Sequence, residues 1–330
     1  MSERITIKSQ REIELMRAAG AVVRDTLLLL EKSAAIGMTT EELNKIAEDF
    51  IRSQGAIPSF LNYEGYPKSI CTSVNEQVVH GIPGGYKLRD GDIISVDVGA
   101  ILNGYHGDAA RTILIGNVKD EVKQLVEVTR ECFFRGMEQA VAGNHIADIG
   151  AAVEQCAHDH GYGVVRELVG HGIGTSMHEP PEVPNFVDKR HGRGPRLYPG
   201  MTIAIEPMIT LGTPDVVVLK DGWTVVTRDA KPAAHYENTV AITANPKYCR
   251  FEVQPMAGTE KTDGLMGRIA VSKAGRDKGI RYAVIGTNDD GTLMLCDGKV
   301  HKAAKPKRKK PKHLQFEAGR IDGIDDILSA

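Results

Sequence analysis

Asp97 and Asp108 stand eleven residues apart in "DIISVDVGAILNGYHGDAART" (92–112), with Asn103-Gly104 between them. Asn-Gly is a two-residue hairpin turn. In that register residue 97 faces 110 and residue 99 faces 108. The two aspartates are then diagonal neighbours on one face, with Cα atoms about 7–8 Å apart. Carboxylates so placed repel unless a cation lies between them. Alone, the pair reads equally well as a turn cap and a surface residue. Glu206 in "GMTIAIEPMI" (200–209) and Glu237 in "AHYENTVAI" (234–242) shift that balance, because each lies in an apolar strand pattern. Buried charges must pair or coordinate metal. His171, in "GHGIG" (170–174), supplies a nitrogen, and the flanking glycines let the backbone pass close, bend sharply and turn the ring inward. A lone histidine there is more often an ordinary core residue; beside four carboxylates it reads as a ligand. Two Asp, two Glu and one His make a mostly oxygen site able to hold two divalent cations for hydrolysis. Manganese, iron(II) and cobalt suit such donors, and zinc is allowed.

The elements around these residues are helices in groups, then strands in groups, which indicates an α+β fold. Ser9 with Glu12 and Thr39 with Glu42 form capping boxes that open helices reaching about 35 and Gly55. Leu43, Ile46, Ala47 and Phe50 give the second helix one apolar face. Ile149, Ala152, Val153 and Cys156 fall at the same offsets between Gly143 and Gly161, after a helical pattern over about 119–141. Two related helix–helix–sheet halves follow. Strand patterns cover 92–116, 162–169, 201–211, 216–219 and 224–244. In 92–102, Ile94, Val96 and Val98 predict one apolar face, and the alternate residues Ser95, Asp97 and Gly99 the other.

The chain has 330 residues and a net charge of −2. Its charge is uneven: residues 257–313 carry 14 Lys/Arg against 6 Asp/Glu, while 314–330 carry one Arg against four acids. An acidic body with a basic appendage indicates two modules with different partners. Five cysteines, Cys71, Cys132, Cys156, Cys249 and Cys296, show no CxxC pair, which excludes a disulfide framework and a structural zinc site. No run nears the ~20 apolar residues of a membrane span, and the N-terminus lacks a signal pattern. A cytoplasmic protein without a membrane partner is expected.

"NYEGYPKSICTSVNEQVVHGIP", "DVGAILNGYHGDAART", "VGHGIGTSMHEPPEVPN", "GMTIAIEP" and "DGWTVVTRDAKPAAHYENTVAIT" together resemble type I methionine aminopeptidases over about residues 3–245. The resemblance implies the pita-bread fold, two pseudo-twofold halves around a central site. It implies Asp97, Asp108, His171, Glu206 and Glu237 as ligands of two divalent metals, with Asp97 bidentate on one. Asp108 and Glu237 bridge, and His171 and Glu206 complete the other. Glu206 is the implied proton carrier. His178 is implied to contact the substrate carbonyl or amide, and His80 to lie near the scissile nitrogen. Tyr63, Tyr66, Cys71, Met177 and Trp223 match the wall of the methionine pocket. Position 177 is Phe in some members; Met keeps the wall apolar. Removal of initiator methionine before small second residues, from nascent chains, by a monomer is implied. The zinc-finger extension of some members has no counterpart here.

"GRIAVSKAGRDKG" (267–279) and the segment beyond it resemble the KOW module of ribosomal proteins, a small SH3-like β-barrel that binds RNA. Lys273, Arg276 and Lys278, with Lys307, Arg308, Lys309 and Lys310, are the expected phosphate contacts, and ribosomal RNA the expected partner. The bland reading of 305–313 is a solvated basic tail. The expected units are 1–248, the metallopeptidase; 257–313, the barrel with its basic tail; and 314–330, an acidic tail, helical or disordered. Two rivals remain. An X-Pro aminopeptidase on the same fold commonly carries a sizeable N-terminal domain, for which this chain has no room. A non-catalytic RNA or ribosome adaptor would have lost ligands that are all present.

Overall fold

The computed structural model describes residues 4–188, 192–243, 268–273, 277–287, 292–296, 307–309 and 314–320. The chain divides into two compact units, Met1–Val253 and Gln254–Ala330. In the first, α1 (Gln10–Ser33) and α2 (Thr40–Ser53) begin at the two capping boxes. Each box closes reciprocally: Ser9 N–H donates to Glu12 at 2.7 Å, and Thr39 N–H to Glu42 at 2.7 Å. Such caps contribute roughly 1 kcal/mol each. The buried face of α2 runs through Leu43, Ala47 and Ile51. Phe50, expected on that face, is only half-buried, because Ile51 follows Ala47 by the four residues that keep a helical stripe aligned.

The hairpin forms as its turn dictates. Strands Ile93–Leu102 and Tyr105–Leu114 pair antiparallel, with Asp97 opposite Ala110 and Gly99 opposite Asp108. Asn103 and Gly104 take φ of 54° and 81°, the positive pair that this turn needs. Strand Ile70–Val74 flanks the other edge and sets Cys71 opposite Asp97. One face of this sheet packs on α1 and α2 through Val96, Val98, Leu27 and Leu43. The other, polar face is buried as well: Ser95 and Thr112 share a hydrogen bond of 2.8 Å under the second half of the unit.

That second half repeats the plan with α3 (Asp120–Gln139), α4 (Ile146–Asp159) and a sheet ordered Asn238–Ala241, Thr202–Ile205, Gly170–Gly172, Glu179–Val183. Two expected strands are interrupted. The first stops at Ile205 and resumes at Met208; the second, expected over 224–244, is three pieces, Val225–Thr227, Ala233–His235 and Asn238–Ala241. Pro207, which has no N–H to give a ladder, lies in the first break. Glu206 and Glu237 are therefore in strand breaks and not inside strands. The strand expected over 162–169 is only Gly163–Val164.

The halves meet along the segment 233–241. Thr112 Oγ1 accepts from His235 N–H at 3.0 Å and donates to its carbonyl at 2.9 Å. Ala110 and Glu237 exchange both backbone bonds, at 3.2 and 3.0 Å. Asp108 N–H donates to Thr239 Oγ1 at 3.1 Å. Residues 112, 110 and 108 thus face 235, 237 and 239 in antiparallel order.

The second unit, taken by itself, contains a five-stranded antiparallel sheet ordered Lys307–Lys309, Leu293–Cys296, Arg281–Thr287, Arg268–Ser272, Leu314–Arg320. Its core includes Ala270, Tyr282, Val284, Leu295 and Leu314. Two expectations change here. Lys307–Lys309 is an edge strand and not part of a loose basic tail. Leu314–Arg320 is a strand and not an acidic tail, because Leu314 buries its side chain in this core. Cys71, Cys132, Cys156 and Cys296 are free thiols; Cys249 lies outside the described residues. Among those residues no helix is long and apolar enough to cross a membrane.

Candidate metal centre

The hairpin brings Asp97 and Asp108 to the face that the second half covers, and the two strand breaks turn Glu206 and Glu237 toward them. Asp108 is 4 % exposed and Glu237 2 %. One oxygen of each of Asp97, Asp108 and Glu237 is buried without a hydrogen-bond partner. Among the described residues no lysine or arginine pairs with any of the four carboxylates. Arg111 is near, but its guanidinium is spent on the carbonyls of Ala110 and Glu237 at 2.7 and 2.6 Å and on Asn238 Oδ1 at 2.7 Å. Its flat side lies 4.0 Å from the Tyr236 ring centre.

His171 completes the contradiction that a cation resolves. Its Nδ1 lies 2.8 Å from the carbonyl of Gly172, which can only accept, so Nδ1 carries the hydrogen. Nε2 then presents a lone pair toward Asp108 at 3.8 Å and Glu206 at 3.6 Å. Neither carboxylate is near enough to bond it directly, and an ion between them would use that lone pair. Without one, burial and the neighbouring His178 hold the imidazole down to about 3. Burial pushes Asp97 up to about 7. Asp108, Glu206 and Glu237 rise well above the carboxylate range through burial and mutual repulsion. The donors fit divalent cations in two overlapping groups. Ligand atoms of Asp108, His171 and Glu237 lie within 4.8 Å of one another, as do those of Asp97, His235 and Glu237.

The glycines around His171 act by close approach and not by a turn, since Gly170–Gly172 is a strand. A Cβ on Gly170 would stand 2.3 Å from the Ala204 carbonyl oxygen, and one on Gly172 2.3 Å from that of Pro180. The chain does not turn at His171 itself; the ladder slips between His171 and Gly172, and a bend begins at Gly174. Of the cluster, the sequence reading missed His235. Its signal was the period of two that places residues 235 and 237 on one side of an extended chain.

A cavity of about 190 Å³ opens beside the cluster. Tyr63, Tyr66, Cys71, Met177 and Trp223 line it, with His80 and His178. Tyr66 and Trp223 meet edge to face at 5.1 Å. Cys71 reaches it from the strand position opposite Asp97, so the apolar wall and the carboxylates share one sheet. Tyr63 Oη lies 2.7 Å from His178 Nδ1, and the His178 ring meets that of His171 at 4.3 Å. The loop carrying Met177 and His178 is held from behind. The Lys8 ammonium reaches Glu179 at 2.5 Å, both side chains being under 10 % exposed, and the Thr6 hydroxyl donates to the same oxygen at 2.6 Å.

The expected RNA contacts are in the second unit. Lys273 and Lys278 are exposed. Lys307 and Lys309 are not free charges, because both pair with Asp277, at 3.1 and 2.8 Å. Arg308 is in the same edge strand, and Arg276 and Lys310 lie outside the described residues.

A buried carboxylate–imidazole cluster between two helix-backed sheets is the arrangement of a pita-bread metallohydrolase. Residues 14–244 match metallopeptidase family M24. The chain belongs to that family. It is 57% identical over 242 residues to a methionine aminopeptidase of Clostridium acetobutylicum, covering 73% of this chain and 96% of that one. The crystal structure of methionine aminopeptidase from Rickettsia prowazekii superposes with a TM-score of 0.72 at 41% identity, over 73% of this chain and 97% of that one. A prolidase from Pyrococcus furiosus, at 23% identity and a TM-score of 0.57 over 72% of this chain and 63% of its own, shares the fold.

Proposed function

We propose that this chain removes N-terminal methionine from polypeptides with small second residues, in the cytoplasm, through a dinuclear centre held by Asp97, Asp108, His171, Glu206 and Glu237. The observation that carries the reading is one cavity of about 190 Å³ lined by orphaned carboxylate oxygens and also by Tyr66, Cys71, Met177 and Trp223. Divalent cations bound there supply Lewis acidity and a more acidic water. The protein's own groups do the rest. The aromatic faces of Tyr66 and Trp223, with Met177 and Cys71, receive an unbranched thioether and fix the first residue. Tyr63 occupies His178 Nδ1 and leaves Nε2 for the substrate carbonyl. His80 stands beside the scissile nitrogen. Glu206 takes the proton of the attacking water and returns it to the leaving amine.

Metal-dependent hydrolysis of Met-Ala-Ser, with Ala-Pro peptides left intact, is the expected result. Cleavage of Ala-Pro instead would favour the X-Pro reading. No metal-dependent cleavage of either would leave the adaptor reading.

The second unit extends the proposal as a KOW-type barrel that binds ribosomal RNA and keeps the peptidase near emerging N-termini. Its five antiparallel strands and the exposed Lys273 and Lys278 support this. The pairing of Lys307 and Lys309 with Asp277 reduces the charge available for phosphate. Deleting residues 257–330 should abolish co-sedimentation with ribosomes at physiological salt; unchanged co-sedimentation rejects the idea.

A further inference from the structure

His235 has no part in the ligand set that the sequence reading assembled, yet it is among the most enclosed groups near the centre, at 2 % exposure. Its backbone is fixed on both sides by Thr112. Its Nε2 has no hydrogen-bond partner. That nitrogen lies 3.8 Å from Glu206 Oε2 and 3.9 Å from Glu237 Oε2. These separations are too long for hydrogen bonds. They nearly match those of His171 Nε2 from its own two carboxylates, 3.8 and 3.6 Å. Ligand atoms about 2.0–2.2 Å from a shared metal stand somewhat over 3 Å apart, so both imidazoles leave room for an ion rather than a direct contact. The two groups of donor atoms share Glu237 and differ in the rest: Asp108 and His171 on one side, Asp97 and His235 on the other.

We propose that His235 Nε2 is a protein ligand of the cation on the Asp97 side, so that each of the two cations carries one imidazole. The assignment rests on the reading that two divalent cations occupy this centre. An all-oxygen position favours hard ions such as manganese, whereas an added imidazole favours cobalt, iron(II) or zinc. The Asp97 position is therefore biased toward those three ions, and His235→Gln returns it to an oxygen donor of similar size.

The test uses the full chain, stripped of metal and titrated with cobalt(II). Calorimetry reads stoichiometry and affinity, and proton NMR reads hyperfine-shifted imidazole N–H signals. The wild type should bind two ions and show signals from two imidazoles. His235→Gln should lose one of those signals and bind one ion at least about 100-fold more weakly, since even residues that merely support a metal ligand are worth roughly 10–100-fold. Binding of manganese should weaken much less. Circular dichroism of the metal-free variant establishes that it is folded, and His235→Asn serves if the glutamine form is not. A wild type with signals from one imidazole, or a folded variant with both cobalt affinities within twofold of wild type, overturns the assignment. If the cobalt-loaded wild type shows both imidazoles and leaves Met-Ala-Ser intact, the activity reading fails and this assignment stands.

Discussion

Asp277 in the second unit and Glu237 in the first are both buried acids, 6 % and 2 % exposed, and the chain treats them in opposite ways. Asp277 receives Lys309 on both oxygens at 2.8 and 2.9 Å, Lys307 at 3.1 Å and the Tyr282 hydroxyl at 3.1 Å. Burial alone would raise it, yet these donors hold it well below the usual carboxylate range. Glu237 has no charged donor from the protein and is pushed far above that range. Glu179, one residue beyond His178, is treated like Asp277: burial opposes its ionisation, but Lys8, Thr6 and Ser176 hold it low. Asp277 and Glu179 are answered by lysines of this chain, and buried Asp92 by neutral donors from Asn75, Tyr86 and the Arg89 N–H. Glu237 keeps an oxygen with neither, which leaves that place to an ion from solution.

The contrast can be broken at its strongest point first. Asp97→Ala and Glu237→Ala should each lose at least one bound metal per chain, and hydrolysis of Met-peptides should fall by more than ~10³-fold. Metal analysis beside steady-state kinetics checks this; wild-type rates in both variants defeat the ligand assignment. Lys8→Met removes the protein's cation from a buried acid and should cost about 3–5 kcal/mol, read from urea unfolding. Lys8→Arg should recover much of it.

Chelation should lower the melting temperature, because a site filled at 100 to 1,000 times its Kd contributes about 3–4 kcal/mol. The drop should be larger at pH 8 than at pH 5.5. A carboxyl raised in the folded state leaves its contribution intact below the unfolded value near 4 and loses it as pH climbs through the folded value, about 7 for Asp97. Metal-free protein should thus weaken with rising pH, and metal should cancel the slope.

The smallest effect belongs to the second unit. Lys309→Met should cost about 1–2 kcal/mol, since Lys307 still faces Asp277. Amide exchange in the strand Arg268–Ser272 of the full chain reports it. The depressed Asp277 contributes stability above pH ~4 that is lost as the pH falls toward its folded value, and Asp277→Asn should flatten that acid-side decline.

How much of this was legible follows from distance along the chain. The hairpin register came from two turn residues and a period of two, both local, and the structure reproduces it. The capping boxes are as local and equally readable. The strand break at 206 was marked locally by Pro207, whereas the one at 237 has no such marker and depends on what the segment packs against. The same holds for the Lys309–Asp277 pairing, which joins residues 32 apart and turns a basic run into an edge strand. His235 shares a side with Glu237 by the period of two, but a single histidine in an apolar stretch is a weak signal until the hairpin is set beside it. Burial of the second, polar face of that sheet was not legible either, because Ser95 and Thr112 bond to one another beneath the other half.

The antiparallel seam of 108, 110 and 112 against 239, 237 and 235 also fixes a sequence of events. A ribosome releases the hairpin first, then His171, then Glu206 and last Glu237, so the aspartates wait for every other donor of the centre. An ion gripped from both sides of that seam closes a chain loop of more than a hundred residues without a covalent bond. The catalyst of a maturation step is then itself an object that matures, complete only after its last acid has emerged.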